Sequence, residues 1–190
     1  MQQSMVTDTC SPKTALVAGA AASAATTLTV ALAGVAETGS PWPALNSISK
    51  MVHGNHAPWR NEASWKFTGT GALLNAAAVF SWAAVYAVLR GPRTRTDYVR
   101  AVTAGAATSA LAYVIDYHVV PERFTPGFEK RLPDRSLGLI YAVLALGLAA
   151  SELTPPDRRA VDRAAAPAMP PRRVDRLDDF RRTMGVRDIR

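Results

Sequence analysis

Phe67-Thr-Gly-Thr-Gly-Ala-Leu-Leu-Asn-Ala-Ala-Ala-Val-Phe-Ser-Trp-Ala-Ala-Val-Tyr-Ala-Val-Leu89 runs without a single charged side chain. About 20 such residues in helical form cross the roughly 30 Å hydrocarbon core of a bilayer. Charge returns at both ends, with Lys66 before the stretch and Arg90 after it. A helix exposed to water keeps one polar face, whereas a helix that is apolar all round is buried in a core or in lipid. The stretch therefore reads as a transmembrane helix.

Working outward, the same alternation organises the chain. Residues 14–36 form a charge-free run rich in Ala and Thr, and the largely apolar residues 99–120 and 136–153 complete a set of four spans. The overall hydropathy is near neutral only because charged loops offset these runs. The expectation is an all-α fold, a polytopic membrane four-helix bundle with a short interfacial helix in the first loop. Residues 1–13 would be a cytoplasmic N-terminal segment, 14–153 the transmembrane domain, and 154–190 a basic, partly disordered tail with a weak helix over 175–184. A cleaved signal peptide ending at Gly34-Val-Ala36 is the rival reading of the first run. That run is longer than a usual signal core and has only Lys13 as a basic residue ahead of it.

Small and polar residues recur on one face of each span: Gly19, Ser23, Thr27 and Gly34; Gly71, Asn75, Trp82 and Tyr86; Gly105, Ser109, Ala112 and Asp116. Such faces admit a neighbouring helix, and Gly138 and Gly147 offer the same in the fourth span. They also suit self-association into a homo-oligomer. In the first loop, Pro41-Trp42-Pro43 breaks the helix, and Leu45, Ile48 and Val52 then recur at helical spacing. Trp42, Trp59 and Trp65 share this loop, and tryptophan favours the headgroup zone.

The net charge of +7 comes mainly from Arg. Lys and Arg number 15 in the N-terminal segment, second loop and tail, against 7 in the first and third loops. Basic residues stay cytoplasmic, so both termini are expected inside. The richness in Ala and Arg matches high-GC bacterial coding, which places the chain in a bacterial inner membrane. The basic tail has only Phe180 as a stacking aromatic, so lipid rather than nucleic acid is its expected partner. Cys10 is the single cysteine, which excludes an intrachain disulfide. No nucleotide fingerprint or nucleophile elbow occurs, and no cofactor is expected.

The candidate polar cluster is Asp116, His118, Arg123, Glu129, His53, His56 and Asn75. An acid at the end of a membrane span is costly unless paired or hydrated, and such residues are often functional. On the structural reading, Asp116 hydrogen-bonds within the bundle, with Arg123 and Tyr113 as first partners, and Asn75 bonds between helices. On the site reading, Asp116 relays protons or joins His118, His53 and His56 around a metal. Residues at i and i+2 point to different sides of a helix, so Asp116 and His118 meet one ion only where the helix has ended.

The segments Ser40-Pro-Trp-Pro-Ala-Leu-Asn-Ser-Ile-Ser-Lys50, His53-Gly54, Thr68-Gly-Thr-Gly71 and Asp116-Tyr-His-Val-Val-Pro-Glu-Arg-Phe-Thr-Pro-Gly-Phe-Glu129 resemble a family of small four-span bacterial inner-membrane proteins without an assigned activity. The resemblance covers roughly residues 40 to 150. It implies the four-helix architecture. Members carry histidine early in the second span, where this chain reads Leu73-Leu-Asn-Ala-Ala77, a departure that argues against a metal or haem site. The expected role is a non-catalytic membrane or envelope-organising protein, with an outer cap where the first loop meets residues 116–132. The alternatives are a small proton-coupled transporter using Asp116 and a metal or redox membrane protein using the outer-loop histidines.

Overall fold

The computed structural model describes residues 12–93 and 95–155. The expectations for residues 1–11, including Cys10, and for the tail from residue 156 onward lie outside them. Helix α1, Pro12–Thr38, ends at Gly39, which takes a positive φ. Two short helices follow, α2 (Trp42–Ile48) and α3 (Lys50–His53). A π-helical turn, Trp65–Gly69, leads into α4 (Thr70–Arg90). Ser64 caps that turn by accepting the Phe67 N–H, while its own N–H donates to Thr68 Oγ1.

Helix α5, Tyr98–Val114, begins at Asp97, whose carboxylate accepts the Arg100 N–H, and runs into a second π turn, Ile115–Val119. Helix α6, Asp134–Ala149, ends in the 3-10 turn Ala150–Leu153. With their turns, the four long helices have 27, 26, 22 and 20 residues and are apolar enough to cross a membrane. The shortest is about 30 Å long, the thickness of the hydrocarbon core.

The long helices form a ring in the order α1, α4, α5, α6, each antiparallel to its neighbours. Small residues set the spacing. A Cβ on Gly105 would run into the Ala145 carbonyl oxygen, and one on Gly147 would lie 2.6 Å from the Ala22 Cα. Helix α5 therefore meets α6, and α6 meets α1, at backbone contact distance. Gly138, by contrast, faces open space, so only Gly147 fulfils the close approach expected in the fourth span. In α1 the buried positions are Thr14, Ala18, Gly19, Ala22, Thr26, Val30, Ala33 and Gly34. Ser23 and Thr27 sit at the edge of that face.

Two apolar clusters stack along the bundle. One contains Ala18, Ala22, Val79, Ala83, Tyr86, Ala104, Ala112, Leu144 and Leu148. The other lies towards the first and third loops and joins Val30, Leu137 and Ile140 to Leu45, Ile48, Phe128 and Leu132. The short helix α2 forms where the loop pattern places it, and Leu45 and Ile48 do face inward. Its burial goes further than that pattern shows: every residue from Pro43 to Lys50 is buried. The helix plugs the end of the bundle, and a Cβ on Gly71 would strike the Leu45 carbonyl oxygen.

Candidate functional site

A chamber of about 150 Å³ lies where the two apolar clusters meet. Helix α4 supplies Leu74, Asn75, Ala78, Val79 and Trp82, α6 supplies Ile140, Tyr141 and Leu144, and α1 supplies Thr26. The plug adds Ile48 and Met51, and the outer loop adds Phe124, Pro126 and Phe128. Asp116 enters from the π turn after α5. A π turn shifts the helical register and commonly marks a functional position. Here it turns Asp116 to the chamber and leaves His118 exposed.

Asp116 Oδ2 accepts a 2.7 Å hydrogen bond from the Tyr141 hydroxyl. Tyr141 is fixed in turn. Its carbonyl accepts from Ser109 Oγ, and its ring meets Tyr113 edge-on at 5.3 Å. Tyr117 packs beside it with its hydroxyl buried. Across the chamber, the Asn75 amide nitrogen donates to Thr27 Oγ1 at 3.0 Å and to Thr26 Oγ1 at 3.4 Å. Thr26 Oγ1 itself donates to the Ala22 carbonyl. None of the ion pairs among the described residues involves Asp116.

The structure divides the sequence-derived cluster. Asp116 and Asn75 share the chamber. Arg123, expected as the partner of Asp116, is exposed at the surface instead. Val120 and Pro121 are extended, with ψ of 146° and 148°, so the chain leaves the helix before Arg123. Tyr113, the other expected partner, makes ring contacts with Tyr117, His118 and Tyr141. His53 and His56 both place their rings against Phe67, at 5.3 and 5.7 Å. Among the described residues, no three His, Cys, Asp or Glu side chains converge as metal ligands would.

Glu129 belongs to the cap formed by the first and third loops. Lys50 is only 2% exposed and donates to Thr125 Oγ1 at 2.7 Å and to Glu129 Oε1 at 3.2 Å. Gly127, at φ 83°, lets its loop approach the Ser47 carbonyl and the Lys50 methylenes. Asn46 is fully buried, donates to the carbonyls of Arg60 and Glu62, and accepts from Thr68. The first and third loops thus form one folded cap. On its surface, the hydrogen bond from Lys130 holds the Glu122 carboxyl below its usual range, and the Lys130 ammonium is raised in turn.

A second charge cluster, at the opposite end, was not anticipated. Glu152 Oε1 lies 3.0 Å from Arg90 Nε, 2.9 Å from Arg90 Nη2 and 3.1 Å from Arg93 Nε. Its Oε2 accepts the Asp97 N–H, and Arg93 also donates to Thr154. All three charged side chains are almost fully buried. The sequence signal was present: Glu152 is the lone acid at the end of an otherwise apolar run, facing a basic turn.

Comparison with protein-family models, with curated proteins and with solved structures gives no match to this chain. What the fold itself defines is an all-α, multi-pass membrane protein.

Proposed function

We propose that this chain is a non-catalytic protein of the bacterial inner membrane, of the four-span family its loop motifs resemble, and that its bundle holds a small guest molecule. The observation that carries this reading is the chamber between the helices, apolar in its walls and supplied with two convergent polar groups, Asn75 and Asp116. Binding sites for small molecules have this composition. A cavity of about 150 Å³ accommodates a benzene-sized guest. The exposed Ala78 and Phe124 stand at its edge and offer a way in.

The carrier and metal readings have less support. A carrier needs a polar route to both faces, and close-packed Ala18, Ala22, Ala83, Ala112 and Leu148 occupy the bundle towards the Arg90–Glu152 end. A metal centre needs converging ligands, and His53 and His56 are engaged with Phe67.

The test uses the full chain in lipid nanodiscs, titrated with benzyl alcohol and read by melting temperature and tryptophan fluorescence. Saturable stabilisation is expected, and Ala78→Phe, which fills the chamber from its edge, should remove it. A response no larger than that of protein-free nanodiscs would sink the reading.

A further inference from the structure

We propose that the chamber selects a small organic cation, an amine bearing one ring-sized apolar group, with its ammonium held by the Asp116 carboxylate. This rests on the chamber reading above and adds the charge of the guest. A carboxylate inside a membrane span is expensive without a partner of opposite charge. Elsewhere in this protein the buried carboxylate has one: Glu152 is paired with Arg90 and Arg93. Asp116 has only the neutral Tyr141 hydroxyl, so its countercharge is missing from the described residues.

Three neighbouring polar side chains point the same way. The Asn75 amide nitrogen is committed to Thr26 and Thr27, the Tyr141 hydroxyl proton to Asp116, and the Thr26 hydroxyl proton to Ala22. What these groups leave free for a guest are acceptors: the second carboxylate oxygen, the Asn75 carbonyl and the hydroxyl lone pairs. A guest that donates is matched, and an anionic guest is repelled. The volume limits the apolar part to about one six-membered ring.

Three probes of one size separate charge from shape: benzylamine, benzyl alcohol and benzoate, titrated against the full chain in nanodiscs with protein-free discs as blank. Wild-type protein should bind benzylamine about tenfold or more tightly than benzyl alcohol, the scale of one hydrogen bond to a charged group. Benzoate should bind weakest. Asp116→Asn should bring benzylamine down to the alcohol's level, which removes the preference for the cation. Tyr141→Phe, which keeps the carboxylate, should retain the preference for benzylamine. If benzyl alcohol binds saturably and benzylamine no better, the cation proposal is overturned while the chamber reading stands. If none of the three binds, both fall. The wild-type ratio decides the matter even if Asp116→Asn does not fold.

Discussion

Glu152 is shared by two guanidiniums and one backbone N–H, and almost no water reaches the three charged side chains. Removing one member of a buried ion pair strands the rest, at a cost of about 3–5 kcal/mol. Glu152→Ala should therefore lower the detergent melting temperature sharply and reduce protein level in cells; a melting curve like wild type would mean the pair contributes nothing. Asp116 calls for a finer comparison. Asp116→Asn keeps an acceptor for the Tyr141 hydroxyl and should cost little stability. Asp116→Leu leaves that hydroxyl unpaired and should cost about 1–3 kcal/mol. Equal melting temperatures for the two variants would show that the Tyr141 bond carries no weight. At this scale the sequence was partly legible. Asp116 stood out because an acid in hydrocarbon is anomalous, and Asn75 was correctly placed on the inward face. The partner of Asp116 was not legible. Tyr141 lies 25 positions away on the neighbouring helix, and only the register between α5 and α6 brings the two together.

That register depends on how closely the helices approach, which is an element-scale property. Gly105 presses against the Ala145 carbonyl, and Ser109, one turn on, donates to the Tyr141 carbonyl. Lipid supplies no hydrophobic drive between helices, so packing and polar contacts of this kind hold them. Gly105→Leu has backbone in its way rather than a movable side chain. It should disrupt folding in detergent, seen as aggregation in size-exclusion chromatography, whereas Gly138→Ala, facing open space, should elute as wild type. A monodisperse, stable Gly105→Leu protein would contradict the packing. The small-residue faces were readable from spacing alone, because glycine and serine at helical intervals have few other uses in a span. The buried plug was not. Periodicity marks Leu45 and Ile48 as inward, but Pro43 to Lys50 are covered on their other side by loops whose paths are set by Lys50–Thr125–Glu129 and by Asn46. Contacts across so much intervening chain leave no trace in a local pattern.

For the whole molecule the open quantity is orientation. The helix ring puts the plug, the cap and the three loop tryptophans at one end, and the Arg90–Arg93–Glu152 cluster at the other. Charge bias favours that second end as cytoplasmic, 15 Lys and Arg against 7. Arg90, Arg93 and Lys50 are buried, so they work as packing partners as well as topology signals; removing them from the count leaves the bias in place. On that bias the cap end is expected to face outward, which would put the exposed Trp59 and Trp65 where tryptophan prefers the headgroup zone. Because Cys10 is the only cysteine, Cys10→Ser gives a clean background for labelling. Asn55→Cys, on the exposed rim of the cap, should react with a membrane-impermeant maleimide added to intact spheroplasts. Thr96→Cys, exposed beside the inner cluster, should react only after the membrane is opened. The two positions are at opposite ends of the same rigid helices, so the pair must answer in opposite ways. Labelling of Thr96→Cys but not Asn55→Cys in intact cells would invert the topology. Labelling of both before permeabilisation would mean that helices of this length and apolarity do not cross the bilayer, and the membrane reading of all four runs would fall with it.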